Sequence, residues 1–304
     1  MMSKTIILTL CILTTLGHFN LEASLYFPKS LQQEKHDLPP LRAFEARDQE
    51  SLSYRLYEGS GNPDKVVVCL HGSGSHGEYL HDLAKYLSKE AGACLVPNLR
   101  GHFGSGKTRG DCSYIGQLED DLIDLIQELN LQDKKIYLVG HSSGGGLAIR
   151  LAGGEYSDRF AGYVLLAPAI PTAPTMKKES DWADPSLVKI ISLSLLNGFG
   201  ITRFNHTQVI HFHMPDEFHN GTETLSYTFN LNTSYHPRVP YQKDIEGLGD
   251  RYICIVGQED ELMEPHEYQT IMEQERITIL PNEKHLPLVN NQTAMDLAAS
   301  FIRH

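Results

Sequence analysis

Ser142 lies between two glycines, in Gly140-His141-Ser142-Ser143-Gly144, directly after the apolar run Lys135–Val139 and before SGGGLAIRLA. A serine on a tight strand-to-helix turn presents its hydroxyl at the edge of a sheet, ready to attack a carbonyl carbon. Such a turn is strained and tolerates only small close neighbours, a need met by Gly140 and Gly144. Gly145 and Gly146 would let the following helix approach the sheet. The start of that helix offers unpaired N–H groups and positive potential to a developing oxyanion.

A serine hydroxyl is a weak nucleophile without a base, and the base needs an acid to orient it. In the elbow arrangement the chain order is serine, acid, histidine. Asp260 follows the apolar run Tyr252–Val256 in GQEDEL, with Glu259 and Glu261 expected to be solvated neighbours. His285 follows RITIL in PNEKHLPLV; His266 stands too close to Asp260, and His304 is terminal. Two backbone donors must hold the oxyanion. One is Ser143 N–H; the other is expected from the loop HGSGSHGEY, where His71-Gly72 makes Ser73 the candidate.

These residues need a scaffold that brings distant loops to one edge. KVVVCLHG, ACLVPNL, KIYLVG, YVLLAPA, RYICIVG and RITIL are short apolar runs. Helical spacing separates several of them, as in Leu80, Leu83, Ala84 and Leu87, or Leu118, Leu122, Leu125, Ile126 and Leu129. HEYQTIMEQ and the C-terminal TAMDLAASFIR also read as helices. Such alternation predicts an α/β fold: a mostly parallel sheet, buried on both faces by helices, with right-handed crossovers. LRAFEA and SLSYRLYE precede it as an expected hairpin. The rhythm breaks between about 170 and 249, where six prolines and many histidines and aromatics fall. A structureless loop of that length is improbable in a compact domain, so an inserted cap is expected, with a separate second domain as the alternative.

LHGSGSHGEY, LRGHFGSG, GHSSGG, GQED and KH together resemble the α/β-hydrolase superfamily. The resemblance is to the serine branch holding monoacylglycerol lipases, lysophospholipases and serine aminopeptidase-type domains, and it runs from about Leu41 to Ile302, except for the cap. It implies an α/β-hydrolase domain over 40–304 with a cap at about 170–249, a Ser142–Asp260–His285 triad and hydrolysis of a carboxylic ester, lipid-like or small. A short-peptide aminopeptidase, a thioesterase or a non-catalytic binding module on the same fold are the rival readings. No metal or organic cofactor is implied. Asn98 stands where many relatives carry aspartate, and Phe103 interrupts the usual R-G-H-G-x-S.

The remaining features bound the reading. Net charge is −12 over 304 residues, with no basic patch, so a nucleic-acid partner is not expected. Lys4 and the apolar run Thr5–Leu16 read as a secretory signal within residues 1–23, too short for a membrane span; the protein is expected to be secreted or periplasmic. The five cysteines, Cys11 in that signal among them, include no C-x-x-C, and Cys69, Cys94 and Cys254 lie in apolar runs. VIHFHMPDEFH gathers His211, His213, Asp216, Glu217 and His219, but it reads as a cap strand lining a pocket rather than as a metal site.

Overall fold

The computed structural model describes residues 24–33, 35, 37–178 and 180–304. The expected signal at 1–23, with Cys11, lies outside the described residues.

The chain opens its sheet with the expected antiparallel hairpin, β1 (Arg42–Glu45) and β2 (Ser51–Tyr57). Four strands and three helices then alternate: β3 (Lys65–Leu70), α1 (His81–Glu90), β4 (Ala93–Asn98), α2 (Gln117–Glu128), β5 (Lys135–His141), α3 (Ser143–Ala152) and β6 (Phe160–Leu166). The insertion follows, with β7 (Ala183–Pro185), α4 (Leu187–Gly198), β8 (Gln208–Phe212), β9 (Ser226–Thr228), α5 (Phe229–Ser234) and α6 (Gln242–Glu246). The chain returns to the sheet through β10 (Tyr252–Gly257) and β11 (Ile277–Leu280), and ends in α7 (Gln292–Arg303).

The sheet runs β1-β2-β4-β3-β5-β6-β10-β11, parallel from β4 to β11. Every residue of β3 is buried, as is all of β5 beyond Lys135. That explains why their sequences are continuous apolar runs rather than alternating ones. From β3 the chain steps to β4 on one side; from β5 it steps to β6 on the other. Right-handed crossovers in opposite directions place α1 and α3 on opposite faces of the sheet. α1 accordingly packs with α7, and α3 with α6. The reversal between β3 and β5 opens a crevice at their carboxyl ends, where sheets of this kind bind ligands.

Two expectations change, and the insertion takes a definite form: β7, β8 and β9 make a small antiparallel sheet, and α4 is a full helix. LVKIISLSLLNG is apolar nearly all round and so carries no helical period to read. HEYQTIMEQ forms a 3₁₀ segment over Pro265–Thr270 and turns beyond it, rather than an α-helix. Residues 25–35 stand before the expected domain, yet Leu25 is buried in the main core. Among the described residues, no helix is long and apolar enough to cross a membrane.

Candidate active site

The chain turns sharply where β5 ends. Ser142 has φ +55° and ψ −122°, a conformation rare outside glycine. Backbone hydrogen bonds hold it there: its N–H donates to Leu166 O at 2.9 Å, and its carbonyl accepts from Gly146 N–H and Ala169 N–H. A Cβ on Gly140 would strike the backbone of Gly144, and one on Gly144 would strike that of Leu70. The glycines are therefore set by close approach of α3 to β3 and β5. Ser142 lines the floor of a cavity of about 890 Å³, counted with its open mouth.

His285 and Ser73 line the same cavity. Asp260 is fully buried behind His285, its Oδ2 2.7 Å from His285 Nδ1. Its other oxygen, Oδ1, accepts the N–H groups of Leu262 and Met263, each at 2.8 Å. Burial pushes the Asp260 carboxyl up, but the imidazole of His285 and these two donors outweigh it and hold the group below the usual aspartate value. The carboxylate is thus charged and fixed, with one oxygen for the backbone and one for the imidazole. No hydrogen bond joins Ser142 Oγ to His285 among the described residues; catalytic hydrogen bonds are often long before substrate is present.

The loop after β3 presses on the serine: a Cβ on Gly72 would come within 3.0 Å of Ser142 Cβ. Its N–H groups are unequally used. Gly72 N–H donates to Tyr79 Oη at 2.6 Å, and Gly74 N–H donates to Tyr227 Oη at 2.9 Å. Ser73 N–H, between them, and Ser143 N–H have no partner among the described residues.

Each tyrosine in turn donates its O–H to a histidine. Tyr79 Oη lies 2.9 Å from His141 Nδ1, whose Nε2 lies 3.1 Å from the carbonyl of His285. A carbonyl only accepts, so His141 Nε2 carries the proton and Nδ1 accepts from Tyr79. Tyr227 Oη lies 2.6 Å from His102 Nε2, while His102 Nδ1 faces the carbonyls of Leu99 and Arg100. The same logic protonates His102 at Nδ1. Burial first, then the nearby His285, lowers His141 to about 3; burial also lowers His102 well below its ordinary value. Both imidazoles are neutral near pH 7, as these bonds require. Tyr235 ties the same loop from the insertion, donating to His71 O at 2.6 Å.

The structure thus brings Ser142, His285 and Ser73 to one cavity, with Asp260 behind His285 and Ser143 beside Ser142. It corrects the expectation for Glu261. Glu259 is exposed, but Glu261 is buried, and its Oε2 accepts the His285 backbone N–H at 3.1 Å. The two tyrosine relays and Glu261 are functional candidates that sequence reasoning missed. Tyr79 stands inside the HGSGSHGEY loop, but nothing in the sequence pairs it with His141.

Asn98, one of the two departures from the family pattern, bonds the backbone of the other, Phe103. Asn98 Oδ1 accepts Gly77 N–H at 3.0 Å, and its Nδ2 donates to Phe103 O at 2.7 Å. An aspartate could not make the second bond. The histidines of VIHFHMPDEFH do not line the cavity as expected; Met214 and Phe218 do. His211 bonds Ser226, His213 bonds Asp184 and His219 bonds Met214 O, all three at the exposed surface. The four described cysteines are free, with Cys69 and Cys94 3.3 Å apart between sulfurs.

Known proteins share both pattern and fold. The serine aminopeptidase S33 family matches residues 61–208. Human monoglyceride lipase is 29% identical over 132 residues, covering 42% of each chain. Protein phosphatase methylesterase 1 of Candida albicans is 25% identical over 69% of this chain and 58% of its own. The chain thus spans about half the length of the curated relatives it matches. Among solved structures, a soluble variant of monoglyceride lipase from Saccharomyces cerevisiae, bound to a substrate analogue, superposes with TM-score 0.62 at 14% identity. That match covers 92% of this chain and 97% of the other.

Proposed function

We propose that this protein, which has the α/β-hydrolase fold, is a serine hydrolase that cleaves carboxylic esters, lipid-like or small. Ser142 Oγ attacks the acyl carbonyl while His285 Nε2 takes its proton, and Asp260 keeps the imidazole oriented through Nδ1. The oxyanion settles between the N–H groups of Ser73 and Ser143. His285 then returns the proton to the departing alcohol, leaving an acyl group on Ser142. Water, deprotonated by His285, releases the acid and restores the serine.

The observation that carries this reading is the unpaired Ser73 N–H. Donors on both sides of it are occupied, and it lies in the loop pressed against Ser142. A free N–H in the loop that presses on a serine held on a strained turn is what an oxyanion donor requires. The cavity suits an ester with an apolar part: Leu25, Phe27, Leu31, Trp182, Met214 and Phe218 line it. The names of the relatives, a monoglyceride lipase and a methylesterase, point the same way.

The aminopeptidase reading draws on the carboxylates of Glu78 and Glu223, which line the cavity and could hold a substrate ammonium. Both already have partners. Glu223 accepts from the backbone of Asn220 and Gly221, and Glu78 pairs with Arg55. Esters are therefore the first reading. p-Nitrophenyl esters set beside aminoacyl anilides test it: ester turnover with inert anilides is expected, and the reverse pattern would replace esterase by peptidase. Export through residues 1–23 belongs to the same proposal and rests on the sequence of that segment; N-terminal sequencing of protein recovered outside the cell tests it.

A further inference from the structure

The segment before β1 is fixed to the molecule on two sides. On the insertion side, the Phe27 ring lies 5.7 Å from that of Trp182 and 4.9 Å from that of Phe218. Gln32 Nε2 donates to Glu217 O at 2.8 Å. On the sheet side, Leu25 enters the main core, Lys35 pairs with Asp82 of α1 at 3.0 Å, and Lys284 sits over the Tyr26 ring. Between these anchors, Leu25, Phe27 and Leu31 face the cavity that holds Ser142.

We infer that this segment is the wall that limits how long a hydrocarbon chain an ester substrate can carry, with Phe27 as the specificity-determining residue. The inference rests on the ester reading and adds to it. A hydrocarbon chain offers no directional group, so its length can be read only by where the cavity ends. In an apolar pocket one methylene more or less changes specificity by about 10-fold or more. An aromatic ring held between two others is a stiff end stop: it has few rotamers, and its neighbours fill the space into which it would swing. The segment lies before residues 61–208, the stretch that matches the serine aminopeptidase family.

The test uses the full protein, Phe27→Ala, Phe27→Trp and Leu31→Ala. One series of esters lengthens the acyl chain on p-nitrophenol; a second lengthens the alkyl chain of acetates. The reading is the ratio of kcat/KM for a long chain to that for the shortest ester. In at least one series, Phe27→Ala and Leu31→Ala should raise this ratio about tenfold and Phe27→Trp should lower it about tenfold. The series that responds identifies which side of the ester meets the wall. Ratios that fail to move in those opposite senses in both series overturn the inference, as does an equal loss at every chain length with a lowered Tm. A parent protein that turns over no ester removes the ester reading and the inference together; one that turns over esters with unmoved ratios removes the inference alone.

Discussion

The backbone N–H of Gly74 ends on the hydroxyl of Tyr227, a residue of the insertion. Through that bond the inserted sheet holds the loop beside Ser142, and the tyrosine O–H donates to His102 Nε2. Phe at position 227 would keep the ring and release both bonds. Gly74 N–H would then compete with Ser73 N–H for any nearby acceptor, and the loop would lose a fixed end. Tyr227→Phe should lower kcat roughly tenfold with little change in KM, the loss of about one buried hydrogen bond felt in the transition state. Steady-state kinetics on a short ester measures it; a change confined to KM would mean that the bond serves substrate binding instead.

Asp260→Asn should leave the fold intact and lower kcat by about 10⁴-fold, because the amide supports the wrong imidazole tautomer. The pH dependence has a definite sign. Asp260 is held below its ordinary value in the folded protein, so its contribution to stability is present above the ordinary aspartate value of ~3.9 and is lost as pH falls through the folded value. The Tm difference between parent and Asp260→Asn should therefore be constant near neutrality and shrink only below about pH 4. A difference that shrinks already between about pH 6 and 8 would contradict the assignment.

Glu261 holds the His285 backbone, accepting its N–H at 3.1 Å. Glu261→Ala leaves a buried N–H without its acceptor and should cost about 1–3 kcal/mol of stability, read as a lower Tm, together with reduced kcat. Glu261→Gln keeps an acceptor oxygen and should recover most of both. Equal effects of Ala and Gln would indicate that charge, not the bond to His285, is what matters at this position.

The sheet was legible because its strands are covered on both faces. Burial of that kind demands unbroken apolar runs such as KVVVCL, and the helices between them keep a clean period. The serine turn was legible for steric reasons, since Gly140 and Gly144 leave no room for side chains. Glu261 was not, because Glu259, Asp260 and Glu261 are chemically alike in sequence and only the local turn decides which is buried. Tyr227 and Tyr235 were equally silent: their partners at Gly74 and His71 lie more than a hundred residues away. The role of Phe27 was hidden for the same reason, and α4 because an apolar helix without period matches no template.

The proposed mechanism gives Ser142 and Ser143 separate roles, one through its side chain and the other through its backbone N–H. Reaction with a fluorophosphonate probe, read by intact mass, tests the central claim most directly. The parent and Ser143→Ala should each take up one probe, at rates within about tenfold of each other, since alanine keeps the N–H. Ser142→Ala, at unchanged Tm, should take up none. Labelling that persists in Ser142→Ala, or is lost equally in both variants, would contradict the assignment of Ser142 as the nucleophile.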